Sequence, residues 1–443
     1  MRLRVAFGGG MRRVAERLPF ALRTYRRLAS AATPVLPLLM SYRLRRGKEN
    51  AARLRERRGE TNVQRPDAPL VWIHAASVGE LLAVVPIVEH IGAAGFTVLV
   101  TSGTVTSAEL AEWRLPPDAI HQFSPLDAPR FVERFLDHWR PDLALFAESD
   151  LWPNLIIATA ERNVPLILIN GRLSKRSFRR WQRAPAAIGA VLRRFDLCLA
   201  QSVGDAQRYA ALGAPRVSTS GNLKLDVPAP PAPDDALATL REMIGDRPVI
   251  AAASTHPGEE TVIVEVHRAL RERFPDLLTV LAPRHPERGA GIVDIARVAG
   301  LDAGARSRGH LPDRDTEVYV ADTMGELGLI YRIAPIVFMG GSLVRHGGQN
   351  PIEPAKLGAA ILHGPHVWNF ADIYAALDKA EGASVVDDAG KLGDRIATWL
   401  SDGAARRAAA DAALTTVEAL AGARNRTLAA LDPYLLTLRL QYR

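Results

Sequence analysis

Residues 336–358 read IVFMGGSLVRHGGQNPIEPAKLG. The run IVFM has the length and apolarity of a strand buried on both faces. Glycines at 340, 341, 347 and 348 then permit positive φ and close backbone approach. Asn350 is suited to cap a helix, Pro351 to its first turn, and Glu353 to a reciprocal capping contact. Strand, glycine loop and helix start form the repeating unit of a parallel α/β sheet, which presents ligands beyond the carboxyl ends of its strands. A helix N-terminus there favours phosphate, and Glu353 can accept hydrogen bonds from ribose hydroxyls, so the stretch is also a nucleotide-site candidate.

The same alternation extends in both directions. Strands are expected near 248–253, 278–282, 317–320, 335–339, 359–362 and 384–386, and an earlier set near 70–74, 96–101, 142–147, 166–170, 197–200 and 216–219. Between the sets, DVPAPPAPDD at 226–235 is too proline-rich for a helix interior or a central strand and reads as a linker. The fold class expected is α/β, with two Rossmann-like domains facing across a cleft. The expected division is an N-terminal segment 1–48, a first domain 49–225, the linker 226–235 and a second domain 236–430.

A chain of 443 residues suits two domains. Its one cysteine, Cys198, excludes an internal disulfide, a CxxC redox pair and a zinc knuckle, and suits a reducing compartment. Of the net charge of +8, residues 1–60 carry +12, with 16 Lys/Arg against 4 Asp/Glu, so the remainder is −4. The apolar run Leu28–Tyr42 lies inside that basic segment. Lipid accounts for both features, and nucleic acid for only one. The run is shorter than the roughly 20 residues of a spanning helix and contains Pro34 and Pro37, so an interfacial anchor is expected. Arg43, Arg45, Arg46 and Lys48 follow it, which argues against a cleaved signal and, by the positive-inside rule, keeps the next domain cytoplasmic.

The remaining strand ends carry further candidates. AAASTHPGEE (251–260) and APRHPER (282–288) bring His256, Arg284 and His285, of which Arg284 can grip phosphate or carboxylate with two hydrogen bonds. The histidine spacing does not make a metal site. ADTMGELG (321–328) adds Met324, Gly325 and Glu326. In the first half, VWIHAASVGELLAVVPIV (71–88) sets Ser77 three residues before Glu80, a capping box whose acid also stands where a carboxylate could take a proton from an incoming hydroxyl. LFAESDLWPNLI (145–156) supplies Glu148 and Asp150 as a second acid pair. NGRLSKRSFRR (170–180) clusters Arg172, Lys175, Arg176, Arg179 and Arg180, as a lipid phosphate would require, and Lys224 in GNLKLD could reach a phosphate.

Taken in order, WIHAASVGE, ESDLWPN, NGRLS, GNLKLD, AASTHPGEE, APRHPER, DTMGEL and GGSLVRHGGQNPIEPA resemble the 3-deoxy-D-manno-octulosonic acid (Kdo) transferases of lipid A assembly, over about residues 25–425. The resemblance implies a glycosyltransferase of the GT-B type that moves Kdo, with inversion, from CMP-Kdo to the lipid A precursor lipid IVA in lipopolysaccharide inner-core synthesis. It implies that the first domain binds the acceptor and the second the donor, with Glu80 as general base. Donor contacts would fall on Arg284, Met324, Gly325, Ser342, Asn350 and Glu353, and acceptor or phosphate contacts on Glu148, Arg172, Lys175, Arg176 and Lys224. No cofactor beyond the donor and no protein-bound metal are expected. Expected partners are the lipid A precursor, CMP-Kdo and the inner-membrane surface, with no nucleic acid. The chain departs from the family pattern at Gln349, where His is usual; Gln cannot become cationic. Two other readings fit two tandem α/β domains: a GT-B transferase using a UDP-sugar, and a clamshell ligand-binding protein without catalysis.

Overall fold

The computed structural model of the protein describes residues 17–442; of the N-terminal segment 1–48, residues 1–16 lie outside them. The chain forms two compact units. One runs to Val227 and takes in the chain again from Ala421, and the other is Pro228–Leu420.

The first unit is built on a seven-stranded parallel sheet of β1 (Leu70–His74), β2 (Thr97–Ser102), β3 (Ile120–Phe123), β4 (Leu143–Ala147), β5 (Leu166–Gly171), β6 (Leu197–Ala200) and β7 (Val217–Thr219), in the order β3-β2-β1-β4-β5-β6-β7. Helices cover both faces, which is why the central strands are near-continuous apolar runs. Leu70 and Trp72 enter one core, Val71 and Ile73 the other. Strand order reverses between β1 and β4, so the loops after these two strands diverge and leave a crevice of the kind where such sheets take their ligands.

The second unit repeats the plan with β8 (Val249–Thr255), β9 (Leu278–Pro283), β10 (Ala303–Ala305), β11 (Val318–Val320), β12 (Ile336–Met339), β13 (Ala360–His363) and β14 (Ala383–Val385), ordered β10-β11-β9-β8-β12-β13-β14. Its reversal lies between β8 and β12. The edge strands β3 and β10 are additions to the sequence reading. Each is short, and β10 is Ala-Gly-Ala, without the branched residues that mark a strand. Gly304 is required there because a Cβ would lie 2.1 Å from the His310 ring.

The sequence reading carried the donor domain to residue 430, whereas the helix Ala423–Gln441 belongs to the first unit. Leu428, Leu431, Leu435 and Leu438 bury themselves beside Val84, Val88 and Ile91 on one face of the first sheet, each worth roughly 1.5–3 kcal/mol. Asp226 fixes the approach by accepting the Gly422 and Arg424 amides at 2.6 and 2.5 Å.

Before the first sheet come α1 (Phe20–Ala32), a 3₁₀ turn over Thr33–Val35 and α2 (Leu36–Arg45). Pro34 and Pro37 take early positions in the turn and in α2, where a missing N–H costs nothing. Only Leu22 and Met40 of this run are buried. Tyr25 donates to Asp127 at 2.8 Å, and the buried Arg57 links Glu49 to the carbonyls of Gly103 and Ser124, which ties the segment to the sheet. Among the described residues, no helix is long and apolar enough to cross a membrane.

Candidate active site

In the first unit, the segments after β1 and β4 and the 3₁₀ turn Leu223–Leu225 after β7 bring Glu80, Glu148 and Lys224 together. Ser77 caps the helix Val78–Ala93, accepting the Glu80 amide at 3.4 Å, while the Glu80 carboxylate accepts the Ala76 amide at 2.8 Å and the Ser77 hydroxyl at 2.9 Å. Glu80 therefore is the capping residue foreseen, and it also stands at the strand reversal. Burial, then the nearby Glu148 carboxylate, push its carboxyl above the usual range, against the pull of the Ala76 and Ser77 hydrogen bonds and of His74. A carboxylate raised this way is a stronger base at the pH where it is still ionised.

Glu148 adopts φ 55° immediately after β4, a backbone region that costs a non-glycine residue about 1–2 kcal/mol. The surroundings hold it there. Its amide donates to the Ile169 carbonyl at 3.0 Å, and the buried Tyr209 hydroxyl sits 3.3 Å from its carbonyl and 3.2 Å from that of Arg172. Lys224 Nζ donates to Glu148 Oε1 at 2.6 Å and lies over Gly79, where an added Cβ would meet it at 3.7 Å. Lys224 is placed by Asn170, whose side-chain oxygen accepts the Leu223 amide at 3.0 Å.

Asp150 is not the acid that acts on Glu148. Its carboxylate meets His74 Nε2 at 3.1 Å, and although burial pushes its carboxyl up, the His74 hydrogen bond and charge leave it below its ordinary value. The acid pair of this site is Glu80 with Glu148. His74 Nδ1 meets the Thr101 hydroxyl at 2.9 Å, which also accepts Trp72 Nε1–H at 2.9 Å. Both ring nitrogens of His74 thus have a hydrogen-bond partner, Thr101 on one side and Asp150 on the other. A His that ends an apolar strand is the one signal of this hydrogen-bonded chain in the sequence. Asn154 is structural: its amide and side chain are bound by Asp127. Lys175 and Arg176 lie exposed with Arg179 and Arg180 on the short helix Lys175–Trp181, which buries no residue. Arg172 is half-buried just before it.

In the second unit the glycine loop differs from expectation. Its amides do not await a phosphate, because the buried Glu259 already fills them. Oε2 accepts the amides of His256 and Gly341 at 2.9 and 2.7 Å, and Oε1 those of Ser342 and Leu343 at 3.0 Å each. Gly340 passes so close to β8 that a Cβ would sit 2.5 Å from the Ser254 carbonyl. Ser342 is fully buried, donating to the Met339 carbonyl at 2.5 Å and accepting the Gly364 amide at 2.8 Å; its side chain fastens the loop and does not face a ligand. The helix Ile352–Lys356 has only five residues, so the dipole expected at its start is weak, and Asn350 already accepts the Ile352 amide at 3.1 Å.

Side chains remain for a polyanion. Arg284 is exposed after β9. The Glu353 carboxyl is pushed up by burial, then drawn back by Asn350, which donates to it at 3.1 Å, and by Arg284 and Lys356. Met324 is exposed, next to Gly325 at φ 84°. Glu326 is committed to Arg306 by two hydrogen bonds and to the Thr323 hydroxyl. The His256 ring stacks on His346 at 3.7 Å between centroids and meets the Gln349 amide at 3.0 Å. Burial, then His346, His285 and Arg284, lower it to about 4, so this ring is neutral near pH 7. Among the described residues, no group of three or more His, Cys, Asp or Glu side chains is arranged to hold a metal ion.

One pH effect follows. Activity that needs ionised Glu80 rises with pH through a value above the usual carboxylate range. Glu148→Gln removes the like charge, which favours the Glu80 anion, so the acid limb of the kcat/KM profile is expected to move to lower pH. An unmoved limb would separate Glu80 from the titration.

Comparison with known proteins gives the family and the fold. Residues 52–227 match the family model described as 3-deoxy-D-manno-octulosonic-acid transferase (kdotransferase). The chain is 36% identical over 392 residues to the 3-deoxy-D-manno-octulosonic acid transferase of Haemophilus influenzae, covering 86% of this chain and 91% of that one. It is 36% identical over 384 residues to the enzyme of the same name from Bordetella pertussis, covering 84% and 89%. Among solved structures, a glycosyltransferase from Rickettsia africae matches with TM-score 0.58 at 12% identity over 84% of this chain and 99% of that one. The UDP-GlcNAc 2-epimerase of Neisseria meningitidis bound to UDP-GlcNAc matches with TM-score 0.54 at 11% identity, over 83% and 99%. At these identities the two structures speak to the fold alone.

Proposed function

This chain belongs to the 3-deoxy-D-manno-octulosonic-acid transferase family, and from that premise we propose that it transfers Kdo from CMP-Kdo to the lipid A precursor lipid IVA at the cytoplasmic face of the inner membrane. The observation that carries the reading is the half-buried Glu80 carboxylate at the β1/β4 reversal, its carboxyl raised by desolvation and by Glu148. In this reading Glu80 takes the proton of the acceptor hydroxyl as its oxygen attacks the anomeric carbon, and the bond from that carbon to the CMP phosphate oxygen breaks with inversion. Lys224, held on Glu148, contributes positive charge on the acceptor side.

The donor's negative charge falls to side chains, because Glu259 occupies the glycine-loop amides. Arg284 meets the phosphate, Glu353 and Asn350 the ribose, and Met324 with Gly325 the remainder of the nucleotide. The exposed cations Lys175 and Arg176, with Arg172, take the acceptor's phosphate. No cofactor is required beyond the donor. Family membership sets aside the non-catalytic clamshell, and a UDP-sugar donor has no observation in its favour, since the UDP-bound neighbour shares only the fold.

The test is CMP release from CMP-Kdo, generated in situ, with and without tetraacylated lipid A precursor. Release that depends on the acceptor, with a product heavier by whole Kdo units, is the expected result. Release from a UDP-sugar and none from CMP-Kdo would replace the donor.

A further inference from the structure

The run from α1 through α2 has two neighbouring faces of different chemistry. Val35, Leu38, Leu39 and Tyr42 recur at helical spacing and stand exposed, Leu38 at 73%. Beside them, Pro34 and Pro37 line a cavity of about 530 Å³ whose other wall holds Phe131, Arg58, Arg130 and Arg134. Glu60 is the one acid lining it, and that carboxylate is already shared between Arg134, Arg58 and Arg55.

The cavity is therefore left with cationic donors to spare. Arg130 is exposed and has no ion pair among the described residues. The Nε–H of Arg58 is shut off from water and has no acceptor, a costly state for a guanidinium that an oxyanion drawing it outward would relieve. Arg23 and Arg27, also exposed, share a helix face with Ser30 and Pro34 and continue the positive surface up to the cavity.

We propose that this cavity is a headgroup site: it takes the phosphate of an anionic phospholipid while the neighbouring apolar stripe lies against the acyl chains. A free anion would account for the arginines and not for the stripe; a bilayer accounts for both, since a helix lying in the interface meets acyl chains on one face and phosphates along its flank. The inference rests on the membrane-surface part of the proposed function and adds to it a lipid-reading site apart from the acceptor.

The experiment is flotation of the full chain with vesicles of phosphatidylcholine alone or mixed with phosphatidylglycerol. The pair Arg58→Ala and Arg130→Ala is expected to weaken partitioning onto the anionic vesicles at least tenfold, roughly the loss of two cations at such a surface, without changing it on phosphatidylcholine. Arg130→Glu, at an exposed position that no fold contact needs, is expected to do the same alone. Arg314→Ala with Arg407→Ala removes equal charge from exposed positions of the second unit and is expected to change partitioning less than twofold. Equal losses from both pairs would overturn the headgroup site. Leu38→Ser with Leu39→Ser tests the wider reading separately: if it floats like the parent while the arginine pair fails, the stripe is not in the bilayer and the proposal falls. If the leucine pair is lost and the arginine pair is unaffected, membrane association stands and the headgroup site alone is refuted.

Discussion

Glu80→Gln is expected to lower kcat by a factor on the order of 10²–10⁴ and to leave the melting temperature close to that of the parent. Glutamine keeps an oxygen for the Ala76 amide and places an amide nitrogen, which can donate to the Ser77 hydroxyl, where the second carboxylate oxygen stood, so the start of the helix Val78–Ala93 stays capped. It cannot accept a proton. Glu80→Ala removes both functions and is expected to cost about 1 kcal/mol of stability besides. The pair of variants thus separates the two uses of one side chain, and CMP binding, which the base does not serve, is expected to survive in both. Near-parental turnover by a folded Glu80→Gln enzyme would remove Glu80 from the chemistry and leave it as a cap.

Glu259→Ala is expected to be the most destabilising single change in the second unit. The carboxylate is 1% exposed and accepts four backbone amides from two loops. Truncation leaves three buried N–H groups and the part-buried one of Leu343 without an acceptor, at about 1–3 kcal/mol for each buried group left unsatisfied. Even with partial rescue by water, a loss of about 4 kcal/mol or more is a large share of the roughly 5–15 kcal/mol that holds a domain. Urea unfolding should show a much lower midpoint for this unit, and CMP binding should be lost with it. Glu259→Gln, which keeps one acceptor oxygen, should fall between. An unchanged midpoint in Glu259→Ala would mean the glycine loop finds other partners for its amides, and would restore those amides as a phosphate cradle.

The sheets were legible because their central strands are buried on both faces and so read as apolar runs. Two of the edge strands lack that signature: β3 is half-polar, IHQF, and β10 is Ala-Gly-Ala. Local motifs carried local geometry well. The Ser77–Glu80 capping box and the Asn350 contact to Glu353 both form. What pattern reading could not supply was partners distant in the chain. Lys224 and Glu148 are 76 residues apart, as are His74 and Asp150, and no periodicity links them. Glu259 shows the same limit from the other side. The glycine loop advertises free amides to anyone reading it alone, and the acid that fills them comes from another strand end. The helix Ala423–Gln441 announces an apolar face but not which sheet receives it.

That helix has a consequence on the ribosome. The strands of the first sheet are all synthesised by Thr219, but the face that Leu428, Leu431, Leu435 and Leu438 cover stays bare until the far end of the chain emerges. At about 5–20 residues per second, the intervening stretch takes roughly 10–40 s to make. Pro228–Leu420 is continuous, and its last residue is made before the helix that seals the first unit. The usual order of nascent-chain folding is thereby inverted: the later-made unit finishes first, while the earlier one waits with an adhesive surface that chaperones must shield. A premature stop near residue 420 would release a chain whose second unit is whole and whose first unit can never be sealed.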